Sequence, residues 1–228
     1  MIPWEHLDSA TMPGGGGELR LMRRGAEYSI MAGATELMNS RLSGSEQALA
    51  TLACAAIAGR PAPHVLIGGL GMGFTLRAAL DALGPDARVT VAELVPAVTA
   101  WARGPLAEVF AGCLDDPRAD LRVSDVRALI AAGRGDYDAI LLDVDNGPAG
   151  LTRGANDGLY GDAGLGEARR ALRPGGVLAV WSAARDERFT DRLRRGGFTV
   201  QQHGVRAGAN GRGAKHVVWV AVSPQSPS

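Results

Sequence analysis

Two carboxylates flank a single residue at the end of an apolar run. The segment "YDAILLDVDNGPAG" carries Asp143 and Asp145 before Asn146, Gly147 and Pro148 turn the chain. Acids at the mouth of a strand can hold a cationic amine by charge-assisted hydrogen bonds, and one of them can then remove a proton from the nucleophile. Asp143 and Asp145 are therefore the candidate catalytic residues. Asp143 reads equally as a strand-end acid that touches a ligand without catalysis, and Asp145 as an Asx-type turn former before Gly147.

A second pattern lies upstream. "VLIGGLGMGF" ends an apolar run with Gly69, Gly71 and Gly73 in alternation, followed at once by a helical pattern. Glycine reaches positive φ and lacks the Cβ that would keep a ligand off the backbone. The dinucleotide fingerprint G-x-G-x-x-G seats a pyrophosphate, and Phe74 stands where that pattern needs its last glycine. The spacing favours a nucleoside without pyrophosphate; a tight turn with no ligand is the alternative. "RVTVAEL" places Glu93 at the end of the next strand-like run, where a carboxylate can accept from both ribose hydroxyls. "VSDVRALI" places Asp125 to accept from an adenine amine and Val126 to pack on the ring, unless Ser124 or Asp125 merely caps the helix that follows. Gly69, Gly71, Gly73, Glu93, Asp125, Val126 and Asp143 are the candidate cofactor-binding set.

These residues need strands that end together. From His64 the chain alternates strand-like runs, "HVLIGGL", "RVTVAEL", "DLRVSD", "YDAILLDV" and "GVLAVWSA", with helical patterns, then closes with "FTVQQHGV" and "KHVVWVAVS". Continuous apolar runs fit strands covered on both faces, and the alternation predicts a doubly wound α/β fold with a mostly parallel, seven-stranded sheet. The loop "RAGANGRG" is too short for a crossover, so the last two strands should pair antiparallel. Residues 1–42 read as an N-terminal segment in which "MPGGGG" separates a loose start from a short β-hairpin over Glu18 to Ala32. Residues 43–223 read as the nucleoside-binding domain, entered by a helix with a capping box of Ser43 and Glu46, and 224–228 as a disordered tail. The helix before "GVLAVWSA" should stop at Pro174-Gly175.

Composition narrows the class. Acidic and basic residues number 24 each and are dispersed, which gives no footprint for nucleic acid or an anionic membrane. Lys215 is the one lysine, so covalent lysine chemistry has a single candidate. Two cysteines, Cys54 and Cys113, sit in apolar helical patterns, and His6, His64, His203 and His216 are scattered without ligand spacing, so neither a disulfide framework nor a metal is expected. The start has no basic-then-apolar leader pattern, and the expected location is cytoplasmic. Trp181 could wall an acceptor pocket or pack in the core, and Asn156 and Tyr160 could form a lid over it or be ordinary loop residues.

Through "VLIGGLGMGFTLR", "VAEL", the Asp125 segment, "YDAILLDVDNGP" and "LRPGGVLAV", the sequence resembles the spermidine synthase-like (polyamine aminopropyltransferase) family, a branch of the class I S-adenosylmethionine-dependent methyltransferase fold. The resemblance implies an S-adenosylmethionine-dependent transferase. Glu93 would bind the ribose, Asp125 the adenine, and Asp143 would be the acid-base residue. S-adenosylmethionine or its decarboxylated form would be donor, a small molecule the acceptor, and a homodimer a possible assembly. The family's loop reads G-G-G-D-G-G, with its Asp recognising the aminopropyl amine, whereas this chain has Gly68-Gly69-Leu70-Gly71-Met72-Gly73, with no carboxylate. A neutral loop suits intact S-adenosylmethionine with its own carboxylate, so methyl transfer is the expectation. Aminopropyl transfer to a polyamine is the alternative, and a non-catalytic nucleoside-binding or scaffold protein a third.

Overall fold

A computed structural model describes residues 2–15, 17–144, 147–148, 158–208 and 210–225. Its larger sheet has seven strands in the order β10-β11-β9-β8-β5-β6-β7. These are β5 (His64–Gly68), β6 (Arg88–Glu93), β7 (Ala119–Val123), β8 (Tyr137–Leu142), β9 (Leu172–Ser182), β10 (Thr199–Arg206) and β11 (Lys215–Val222). β5 to β9 pair in parallel, and β11 runs antiparallel to both β9 and β10. The expected sheet, with its reversed strand near the end, is the observed one.

Both faces of the sheet are covered, which is why its central strands are apolar without alternation. Val65, Ile67, Val91, Ala139 and Leu141 pack under α1 (Gly44–Ala56), α2 (Phe74–Ala82), α3 (Pro96–Arg103) and the short α4 (Ala107–Phe110). Leu66, Ala92, Ile140 and Leu142 pack under α5 (Val126–Ala132), α6 (Asp162–Ala171) and α7 (Glu187–Arg195). From β5 the chain winds one way to β6 and β7 and the other way to β8 and β9. The crevice beyond the carboxyl ends of β5 and β8 is thus the switch point where such sheets receive ligands.

The N-terminal part departs from the expectation. A four-stranded antiparallel meander forms from β1 (Glu5–Thr11), β2 (Glu18–Arg24), β3 (Glu27–Ala32) and β4 (Thr35–Asn39). The expected hairpin is its middle pair. "MPGGGG" belongs to the β1–β2 connection, across which Met12 N–H donates to the Gly17 carbonyl at 2.9 Å, so the start of the chain is a paired strand. A bulge between His6 and Asp8 shifts the register, leaving Leu7 and Ala10 as the half-buried apolar residues three apart and erasing the period-two pattern. Leu19, Leu21 and Ile30 enter the same cluster as Leu49, Leu70, Met72 and Trp101, and Trp101 Nε1 donates to Asp8 Oδ2 at 2.6 Å.

Two boundary signals also resolve differently. Ser43 precedes α1 without a side-chain cap, and Glu46 accepts from Ser45 Oγ at 2.7 Å, so the capping box does not form. Helix α6 stops at Ala171, ahead of Pro174-Gly175, because β9 has already begun pairing at Leu172 opposite Tyr137. Of the expected tail, residues 226–228 lie outside the described residues.

Candidate active site

The crevice is built from backbone before any side chain enters. At the end of β5, Gly69 N–H donates to the Ala92 carbonyl at 2.9 Å, and Asp143 N–H donates to the Gly68 carbonyl at 3.0 Å. Gly69 has φ +89°, and a Cβ there would lie 2.5 Å from the Asp143 carbonyl oxygen. A Cβ at Gly73, φ +75°, would meet the Phe110 ring at 2.6 Å. Close packing therefore accounts for these two glycines without a ligand. Gly71 differs: the nearest atom to its Cβ position is Met38 Sδ at 3.5 Å, an ordinary van der Waals contact, so the middle of the loop borders the small sheet without a clash.

Glu93 ends β6 and is buried. Its Oε2 accepts from Leu70 N–H at 3.0 Å and its Oε1 from Val95 N–H at 2.8 Å. The carboxylate thus ties the glycine loop to the start of α3. Each oxygen keeps a further lone pair, so the bidentate ribose contact is compatible with this role. Burial raises its pKa against the backbone donors at Val95, Leu70 and Leu94. Asp125 caps α5, its Oδ1 accepting from Arg127 N–H at 2.8 Å, on an exposed side chain. Val126 is buried, and its Cγ2 lies 2.9 Å from where a Gly68 Cβ would stand, so Gly68 is glycine to admit it. Between Glu93 and this helix, Leu94 and Val123 are large apolar side chains 49% and 55% exposed. In the sequence only their places next to Glu93 and near Asp125 mark them.

Asp143 follows β8 directly. Its Oδ2 accepts from Thr75 Oγ1 at 2.9 Å, and Thr75 itself is buried in the first turn of α2. Burial foremost, and then the charge of Glu46, raise the Asp143 carboxyl to about 7 against the Thr75 hydrogen bond. Such an acid can accept a proton and release it near neutrality. Glu46, read in the sequence as half of a capping box, adds its charge to this site from α1, and burial raises its own carboxyl as well. Thr75 carried no sequence signal beyond its place after the glycines.

The remaining candidates separate. Asp145 and Asn156 lie outside the described residues. Tyr160 is no exposed lid residue: it is 1% exposed, packed edge-on against Phe189 at 5.7 Å between ring centroids. Trp181, half-buried at the end of β9, stands edge-on to His216 at 4.9 Å, and its buried Nε1 has no partner among the described residues. Among those residues no group of three or more His, Cys, Asp or Glu is placed to hold a metal ion, and no helix is long and apolar enough to cross a membrane.

Strand order, glycine turn and strand-end acids together define the class I S-adenosylmethionine-dependent methyltransferase-like fold. Within that class the chain is spermidine synthase-like, in sequence and in fold. It is 37% identical over 127 residues to polyamine aminopropyltransferase 1 of Streptomyces coelicolor, a match covering 54% of this chain and 23% of that protein. With the polyamine aminopropyltransferase of Mycobacterium tuberculosis it shares 31% identity over 180 residues, 73% of this chain and 33% of the relative. The chain thus spans a quarter to a third of the length of these relatives. No protein-family model matches it. Spermidine synthase from Thermotoga maritima superposes over 97% of this chain and 73% of its own, with TM-score 0.72 and 16% identity. A Burkholderia thailandensis 1,6-didemethyltoxoflavin-N1-methyltransferase superposes over 80% of each chain, with TM-score 0.56 and 20% identity.

Proposed function

We propose that this chain transfers an aminopropyl group from decarboxylated S-adenosylmethionine to a small amine of the polyamine class. The observation that carries the reading is Asp143, held by Thr75 beside the glycine turn, with its carboxyl raised to about 7. The names of the aligned relatives favour aminopropyl over methyl transfer, reversing the expectation drawn from the neutral loop. Glu93 would add ribose hydroxyls to its two backbone partners, Asp125 would receive the adenine amine, and Leu94 and Val126 would flank the ring. The amine lone pair attacks the carbon attached to sulfur, the C–S bond breaks with its electrons going to sulfur, and Asp143 takes the proton that the nitrogen loses. The sulfonium is already electrophilic, so the protein's part is alignment and proton removal. The proposal includes a cytoplasmic location, supported by Cys54 and Cys113 being thiols.

Methyl transfer is the second reading, and one observation favours it: the loop from Gly68 to Gly73 offers no carboxylate for an aminopropyl ammonium. Mass analysis of products from protein incubated with putrescine and either donor separates them. Methylthioadenosine with spermidine is the expected result, and S-adenosylhomocysteine with a methylated amine would support the second reading. Binding of either donor without turnover would leave the non-catalytic reading.

A further inference from the structure

The chain that follows Asp143 is held from the face of the sheet opposite Thr75. Gly147 N–H donates to the Val144 carbonyl at 3.1 Å, and the Tyr160 hydroxyl donates to the same oxygen at 3.4 Å. Gly147, φ +87°, has no room for a side chain: its Cβ would lie 2.5 Å from Ser182 Cβ and 2.7 Å from the Trp181 carbonyl oxygen, which seats it against the end of β9. Val144 Cγ1 in turn stands 3.3 Å from where a Gly69 Cβ would be, against the glycine turn. Val144 is thus lodged between the turn after β5 and the group that clasps its carbonyl, one residue past the Asp143 carboxyl.

Tyr160 is itself fixed. It is 1% exposed, its ring meets Phe189 of α7 edge-on at 5.7 Å, and Arg192 Nη1 from the same helix donates to its carbonyl at 3.0 Å. Phe189 meets Trp219 of β11 edge-on at 5.1 Å, and the Trp219 indole donates to Thr190 Oγ1 at 2.9 Å, so the three rings form one braced stack. Phenylalanine would satisfy these ring contacts equally well. The hydroxyl is the part that packing does not require, and a buried hydroxyl is costly unless it is hydrogen-bonded. It reaches the carbonyl next to the proposed proton acceptor.

We propose that Tyr160 is a positioning residue for the transfer reaction, its hydroxyl clasping the Val144 carbonyl so that the Asp143 backbone is fixed on both sides, an inference that rests on the function proposed above. On the strand side, Asp143 N–H is bonded to the Gly68 carbonyl at 3.0 Å, and its carboxylate takes the Thr75 hydroxyl at 2.9 Å. On the loop side, Tyr160 and Gly147 share the next carbonyl. A carboxylate that must take a proton from an amine in line with the C–S bond loses rate steeply when its backbone shifts. Tyr160 lies on the other face from the Asp143 carboxyl and acts through Val144, not on substrate.

The test uses the full chain, Tyr160→Phe and two readouts. In the first, amide hydrogen exchange is followed by nuclear magnetic resonance without substrate. Tyr160→Phe keeps the ring stack, so exchange at Val91 in β6 should match wild type, while the Gly147 amide, bonded to the clasped carbonyl, should exchange about fivefold faster, the worth of one hydrogen bond. In the second, with decarboxylated S-adenosylmethionine and putrescine as substrates, Tyr160→Phe should lower kcat about fivefold and leave KM for putrescine unchanged. Gly147 exchange like that of wild type, equal acceleration at Val91, or a change in KM with kcat intact would each overturn the proposal. If wild type turns over neither donor, the transfer reading fails, and the exchange measurement alone still decides whether Tyr160 holds the chain after Asp143.

Discussion

Thr75 Oγ1 donates to Asp143 Oδ2 at 2.9 Å, across the sheet's switch point from the first turn of one helix to the end of a strand. The bond favours the charged carboxylate while burial and Glu46 oppose it. Thr75→Val should therefore push the Asp143 pKa higher still. Activity near pH 7 should fall roughly fivefold, the worth of one hydrogen bond of about 1 kcal/mol, and recover as pH rises. Glu46→Gln should move the same limb of the pH–rate profile to lower pH, because a like charge is removed. Profiles that do not move in opposite directions would contradict this balance.

The raised Asp143 carboxyl has a cost in stability with a definite sign. Its folded pKa of about 7 lies above the ordinary 3.8, so the native state binds more protons between those values and stability falls as pH rises through the window. Asp143→Asn removes that penalty. It should lower kcat by about 10²–10⁴ and yet raise Tm at pH 7.5 by at least ~2–4 °C. The Tm gain should shrink toward pH 4. A thermal melt series at three pH values checks it.

Glu93 serves the protein before it serves a ligand. Glu93→Gln turns one oxygen into an NH₂ facing a backbone N–H, since both oxygens already accept. Stability should drop by about 1–3 kcal/mol, and donor affinity should fall more than stability alone explains. Denaturant melts and calorimetry on the same preparation separate the two effects.

The glycines of the loop should not respond alike. Gly69→Ala drives a methyl into the Asp143 carbonyl and should disrupt both fold and site, whereas Gly71→Ala meets Met38 Sδ at 3.5 Å and carries mainly the strain of its φ of +53°. Gly71→Ala is expected to fold with a loss of about 1 kcal/mol. Equal damage from the two substitutions would show that the Met38 side of Gly71 has no room for a methyl.

A distant control lies at the amino-terminal side of the sheet. Asp138, 2% exposed, accepts from Arg60 at 2.8 Å, Arg173 at 2.6 Å and the His64 N–H at 2.8 Å. Asp138→Asn leaves two guanidinium groups without a counter-charge and should cost about 3 kcal/mol of stability. Its kcat on the folded fraction should match wild type.

The large sheet was legible because strands covered on both faces must be continuously apolar, and "HVLIG" and "YDAILL" are. The reversed last strand followed from a loop too short to cross over. The small sheet was only half legible. β1 buries little and carries a bulge, so neither burial nor alternation marks it, and its hold on the core runs through Asp8 and Trp101, far apart in sequence. At the site, residues at strand ends were readable from position, among them Glu93, Asp125 and Asp143. Thr75, Leu94 and the Tyr160–Val144 contact depend on how helices sit over the sheet, which no local pattern encodes. Asp125 and Val126 also fill structural roles, as cap and as partner of Gly68, so residue type alone could not separate the two uses.

The most direct test of the donor assignment is calorimetric titration of the wild-type chain with decarboxylated S-adenosylmethionine, methylthioadenosine, S-adenosylmethionine and S-adenosylhomocysteine. Aminopropyl transfer predicts that the decarboxylated donor and methylthioadenosine bind more tightly than the carboxylated pair. Tighter binding of S-adenosylmethionine and S-adenosylhomocysteine, or no binding of any of the four, would contradict it.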